Sequence, residues 1–186
     1  CLMASRAAAD KKNGTTLQLN LFAPQSDWRA PNIGDLPSWK DAKRVAIDIE
    51  TRDPQLRELG PGVRRPGNSY ICGYSFAIDT GPAYYVPLRH LGGDNVECEA
   101  TAWRYLEDQA ADFTGEIVGQ NLSYDLDWLA EPGRNKPKII FRRAKKIRDV
   151  MVAAALIYEL HDRYNLNAIA TRYGLPCKRE DELKAA

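Results

Sequence analysis

Lys43–Glu50 reads KRVAIDIE. Val45, Ile47 and Ile49 alternate with Ala46, Asp48 and Glu50, a period of two that predicts a strand with one apolar face. Ser69–Ile78 (SYICGYSFAI) and Ala83–Leu88 (AYYVPL) flank Asp79-Thr80-Gly81-Pro82, turn chemistry that predicts a hairpin. Ala100, Trp103, Leu106 and Ala110 fall at helical intervals within Glu97–Phe113. Glu116–Gly119 reads as a short buried strand running into a helix over Ser123–Ala130. Lys138–Phe141 reads as another short strand. Asp149 is placed to cap a helix over Asp149–Leu160, and Asn165 to cap Leu166–Tyr173, which Gly174 and Pro176 stop. Strand, hairpin, helix, strand and helices make a mixed α/β layer structure.

Residues 1–43 differ from the remainder of the chain. Pro24, Pro31 and Pro37 interrupt them and no period persists, so they read as an irregular arm anchored at Trp28 and Trp39. The globular domain is expected over 44–186. With 186 residues, 44% hydrophobic and 27% charged, the chain suits one domain with a real core and excludes two comfortable ones. No apolar run approaches the ~18 residues that would span a bilayer. Cys1, Cys72, Cys98 and Cys177 are scattered without a CxxC pair, which argues against a thiolate zinc site or a disulfide framework and fits a reducing cytoplasm. The net charge of +1 hides a split: ten acids and one base over 94–131, then eight bases and one acid over 132–150. An acidic solvated helix followed by a basic loop explains this, and so does an acidic metal pocket beside a ridge for a polyanion.

Asp48 and Glu50 share a face of an otherwise apolar strand. Two carboxylates ~4 Å apart repel by about 4 kcal/mol at an effective dielectric near 20. A hard divalent cation relieves that repulsion, and Mg²⁺ takes one or two carboxylates with water and phosphate completing its shell. A surface pair on an edge strand is the alternative. Gly119–Asp125 (GQNLSYD) adds a third acid: Asp125 falls on the first turn of a helix, and Asn121 sits in the turn before it.

Asp48–Thr51 (DIET) together with Gly119–Asp125 (GQNLSYD) resembles the 3′–5′ proofreading exonuclease domain of family A DNA polymerases, polymerase I-like and closest to the phage type, in the DEDD exonuclease superfamily. Tyr84–Asn95 (YYVPLRHLGGDN) and Arg148–Gly174 agree with it, so the resemblance covers about Lys43 to Leu175. It implies a ribonuclease H-like mixed sheet flanked by helices. The implied activity is hydrolysis of the 3′-terminal phosphodiester of DNA with two Mg²⁺ or Mn²⁺ ions. In that chemistry Asp48 bridges both ions, Glu50 holds the first and positions the attacking water, and Asp125 holds the second. Thr51, Asn121 and Tyr124 match positions that bind the terminal nucleotide.

The superfamily pattern also has a third motif, YxxxD or HxxxD. Tyr158-x-x-x-Asp162 has the spacing, but it stands at the end of the helix that precedes the third motif in relatives. The motif is therefore expected beyond residue 186, in a longer polypeptide that also carries a polymerase. The 1–186 segment alone is expected to show weak nuclease activity or none. The alternative is a catalytically silent exonuclease-like module that tethers a replication protein to DNA or to the sliding clamp.

Two further readings concern partners. Lys138, Arg142, Arg143, Lys145 and Lys146 are candidates to neutralise phosphates of a single-stranded 3′ end. Gln18-Leu19-Asn20-Leu21-Phe22 resembles the QLxLF peptide by which bacterial replication proteins bind the sliding clamp. Leu19, Leu21 and Phe22 would fill an apolar pocket and Gln18 would supply hydrogen bonds. A staple on this protein's own surface is the other reading.

Overall fold

A computed structural model describes residues 28–65, 69–91, 94–133 and 135–177. Its sheet has five strands: β1 (Arg44–Arg52), β2 (Tyr70–Ile78), β3 (Ala83–Pro87), β4 (Glu116–Gly119) and β5 (Lys146–Asp149), in the spatial order β3-β2-β1-β4-β5. The β1–β2 and β2–β3 pairs are antiparallel, while β1–β4 and β4–β5 are parallel. The helices are α1 (Leu56–Leu59), α2 (Glu99–Asp112), α3 (Leu122–Ala130), α4 (Val150–Ile157) and α5 (Leu166–Arg172), with a 3₁₀ turn at Ile33–Asp35. β1 is thus the seam between an antiparallel half and a parallel half.

The period of two in β1 sorts its side chains between two faces. Val45, Ile47 and Ile49 are buried. Opposite them in register lie Tyr74 and Phe76 of β2 and Ile117 of β4, buried on the same face. α2 and α3 close over this face with Trp103, Leu106, Leu122, Trp128 and Leu129, in a single hydrophobic cluster. Ala46 and Glu50 point to the other face and are exposed. Along the same side of the molecule α4 leaves Leu156 83% and Ile157 71% exposed. An open groove of about 670 Å³ runs between Val118, Ile147 and Leu156.

Three elements differ from the sequence expectation. Lys138–Phe141 is not a strand. Ile139 and Phe141 are buried, and the Ile139 N–H donates to the Leu129 carbonyl, which closes the end of α3. A strand forms a few residues later, at β5, inside the stretch taken as basic loop. Three of its four residues are charged, as suits an edge strand, so no apolar alternation betrayed it. α4 stops at Ile157, short of Leu160. The strands and helices around β1, β2, β3, β4, α2, α3 and α5 fall within a few residues of where the pattern put them.

Within the arm, Trp39 belongs to the core. It is fully buried among Phe76, Phe113 and Phe141, with ring centroids 5.1, 6.1 and 6.3 Å away, and its backbone N–H donates to Gln109 Oε1 at 2.7 Å. Trp28 is exposed and lies against Tyr85. The Trp39→Ala substitution is expected to cost about 3–5 kcal/mol in urea unfolding, the loss typical of emptying a large buried aromatic site. A loss below about 1 kcal/mol would show that the arm only touches the domain.

Candidate active site

The parallel strands β1, β4 and β5 all finish at one pole, and the ends of parallel strands beside a change of strand direction are where open α/β sheets place ligands. β4 stays paired with β1 only as far as Ala46–Val118. Past that point the backbone of β1 has no strand on the β4 side, and a buried N–H there needs another acceptor. Asp125 supplies it. From the first turn of α3, its Oδ1 accepts from the Ile49 N–H at 2.9 Å. Gly119 permits the approach, because a Cβ at that position would stand 2.5 Å from Leu122 Cδ2 and 2.9 Å from the Ile47 carbonyl oxygen.

Asp125 is buried, 4% exposed. Burial pushes its carboxyl up to about 7, and the charges of Asp48 and Asp149 push the same way, against the pull of the Ile49 N–H. Asp125 is thus anchored at Ile49, the residue that follows Asp48 in β1. Glu50 leans toward β2 and β3, where its charge acts on the Tyr85 hydroxyl and the Cys72 thiol, both of which burial already pushes up. Its register partner is Gly73, whose missing side chain leaves room for the Tyr85 ring: a Cβ there would meet Tyr85 Oη at 2.5 Å. Tyr85 in turn bonds to His90 Nε2, and His90 is held in its turn by paired bonds with Asn95.

The nucleotide-contact candidates also gather here. Between Glu50 and Thr51 the β1–β2 register shifts, from Glu50 opposite Gly73 to Thr51 opposite Ile71. Beyond it Thr51 Oγ1 and Tyr124 Oη are hydrogen-bonded at 2.6 Å. Asn121 stands at the N-terminus of α3 in the left-handed region, φ 59°, with its side chain making no capping bond.

The basic candidates lie elsewhere. Lys146 is level with Arg44, through Glu116, four residues before Asp48 or ~13 Å along the strand. The Lys145 N–H donates to the Gly115 carbonyl and Arg143 pairs with Asp112 at 3.1 Å, both at the opposite pole of the sheet. Arg142 and Lys138 are exposed on the same connection, Lys138 beside the far end of α3. Gln18, Leu19, Leu21 and Phe22 lie outside the described residues.

The carboxylates fit a hard divalent cation by donor type, all oxygen, and by the raised proton affinity that a cation would relieve. Among the described residues no three acids, histidines or cysteines stand together as a metal-binding group. Sequence reading missed the Tyr85–His90 pair, and it missed the reach of Asp149, which accepts from the Asn121 and Leu122 N–H groups at 3.0 and 2.8 Å.

A phage relative is close in sequence. A DNA-directed DNA polymerase of Pseudomonas phage M6 is 54% identical over 171 residues, 91% of this chain and 25% of that protein. The chain is similar to one segment of that phage DNA polymerase. It spans about a quarter (25%) of the relative's length. No family model matches. Among solved structures, NrnC of Brucella melitensis with bound Mg²⁺ is similar with a TM-score of 0.51 and 19% identity, over 81% of this chain and 63% of that one. A chain from the co-crystal of the yeast NOT1 MIF4G domain with CAF1 is similar with a TM-score of 0.53 and 16% identity, over 73% and 70%. The fold is ribonuclease H-like, as the DIET and GQNLSYD motifs implied. Among the described residues no helix is long and apolar enough to cross a membrane.

The pH dependence of stability tests the Asp125 environment. Its carboxyl ionises near 3.8 when unfolded and near 7 when folded, so the folded chain holds the extra proton between those values. Stability without metal should therefore fall as the pH rises from about 4 to about 7, by an amount on the order of a few kcal/mol. Asp125→Asn should flatten that slope in urea titrations at about pH 5 and about pH 7.5. A parent already flat over this range contradicts the site described.

Proposed function

We propose that this domain is a 3′–5′ exonuclease that removes terminal nucleotides from DNA during synthesis, with Asp48, Glu50 and Asp125 as its metal-holding acids. The observation that carries the reading is the buried carboxyl of Asp125, bonded to the N–H of Ile49, the residue after Asp48, at the carboxyl end of β1. A polymerase relative and a ribonuclease H-like fold support a nuclease-like module of this kind. The NrnC structure that the fold resembles contains Mg²⁺, which supports a divalent ion.

Two bound Mg²⁺ or Mn²⁺ ions would supply an activated water and a stabilised leaving oxygen for in-line displacement. The chain's own residues set the geometry around them. Asp125 is held by the Ile49 N–H, so its second oxygen is the one left for a ligand. Thr51 and Tyr124, already bonded to each other, present two hydroxyls beside the bulge for the sugar and terminal phosphate. Asn121 begins the helix that carries Tyr124. Lys138, Arg142, Arg143, Lys145 and Lys146, at the other pole, would serve DNA further from the 3′ end. The fourth acid of the superfamily pattern, and a polymerase, would be carried by the longer polypeptide, as the relative's length supports.

The scattered acids favour a second reading, a silent module that binds DNA without cutting it. Metal binding separates the two. Mn²⁺ titration followed by electron paramagnetic resonance should show binding that Asp48→Ala and Asp125→Asn each weaken by at least about tenfold. In the polymerase that carries this domain, a 5′-labelled single strand should shorten stepwise from its 3′ end, and Asp48→Ala should slow this about a thousandfold, the loss of about 4 kcal/mol of transition-state stabilisation. Binding of Mn²⁺ that ignores both substitutions, with no digestion by the polymerase, would leave the silent module.

A further inference from the structure

A helix N-terminus leaves its first N–H groups without partners, and an asparagine at that position usually satisfies them with its own side chain. α3 does not use this solution. Asn121 is in the left-handed region and its carboxamide makes no capping bond. The partners come instead from β5, across the sheet end. Asp149 Oδ1 accepts from the Asn121 N–H at 3.0 Å and Oδ2 from the Leu122 N–H at 2.8 Å. The same Oδ1 accepts from Met151 N–H at 2.8 Å, capping α4. One carboxylate thus holds the starts of two helices, and the parallel pairing of Gly119 with Asp149 brings it into reach.

We infer that Asp149 is a positioning residue for the 3′-terminal nucleotide: by accepting from the Asn121 and Leu122 N–H groups, it fixes Asn121 in its left-handed conformation and so sets where its carboxamide can meet substrate. The inference rests on the reading of the site as one for a DNA 3′ end. Without Asp149, the Asn121 and Leu122 N–H groups lose their acceptors, and the turn that carries Asn121 is no longer held. The clamp sets Asn121, four residues before Asp125 on the same element, so the substrate contact and the metal-holding acid share one anchor.

Asp149→Ser separates this role from the local one. A serine still caps α4 but is too short to span to Asn121 and Leu122. Two measurements on the whole chain decide the matter. By amide hydrogen exchange, Asp149→Ser should speed exchange at Asn121 and Leu122 by about tenfold or more while Met151 keeps its protection; unchanged exchange at Asn121 and Leu122 overturns the clamp. By fluorescence anisotropy with a 3′-hydroxyl single-stranded oligonucleotide in Ca²⁺, Asn121→Ala and Asp149→Ser should each weaken binding about tenfold. The double variant should bind no more weakly than either single one, the non-additivity of residues that act as a unit. Losses that multiply, or an Asp149→Ser chain that binds like the parent, overturn the inference. A parent that fails to bind the oligonucleotide overturns the reading of the site instead, and the exchange result then stands for the clamp alone.

Discussion

The hydrogen bond from the Ile49 N–H to Asp125 is the constraint around which this structure is organised. It exists because β4 is too short to pair with β1 beyond Val118, which leaves a buried donor at the strand's end. Satisfying that donor with a carboxylate rather than a carbonyl brings a buried negative charge beside Asp48. The arrangement is destabilising for an empty domain, and the raised proton affinity of Asp125 is its signature. A proton or a positive ligand relieves such a conflict.

Everything near this bond serves to hold it. Gly119 lets the chain turn tightly from β4 to α3, and Leu122, Trp128 and Leu129 bury one side of α3 against the sheet. Asp149 ties the start of the same helix to β5. On the other side of β1, the register shifts after Glu50 so that Thr51 pairs with Ile71, and its hydroxyl meets Tyr124. The heavy aromatic cluster of Trp39, Tyr74, Phe76 and Trp103 fills one face only. The other face carries Ala46 and the exposed apolar residues of α4, and there the sheet has much less cover.

The parts legible in the sequence were those with strong local signals. The alternation of KRVAIDIE, the turn at Asp79–Pro82 and the capping residues Asp149 and Asn165 each named an element correctly, because each is decided within a few residues. Asp48, Thr51, Asn121, Tyr124 and Asp125 were expected from motif spacing, and they fall at the end of β1 and the start of α3. What stayed hidden depends on contacts distant in sequence. β5 has no apolar pattern because it lies at an edge. Asp149 looks like an ordinary helix cap until β5 pairs with β4 and sets its carboxylate beside Asn121, a contact 28 residues away in sequence. The run from Lys138 to Lys146 looked adjacent to the acids because the charge split is adjacent in sequence, yet the parallel crossover carries it to the far pole. Glu50 alternates with Asp48 as read, but its neighbours Tyr85 and Cys72 come from β3 and the β2 bulge.

The most direct measurement is anomalous X-ray scattering from crystals of the domain soaked in Mn²⁺. A peak within ~2.0–2.2 Å of carboxylate oxygens of both Asp48 and Asp125 is the result this account requires. Crystals with no peak there, or with Asp125 turned from Asp48 and the ion bound at another surface, would contradict it.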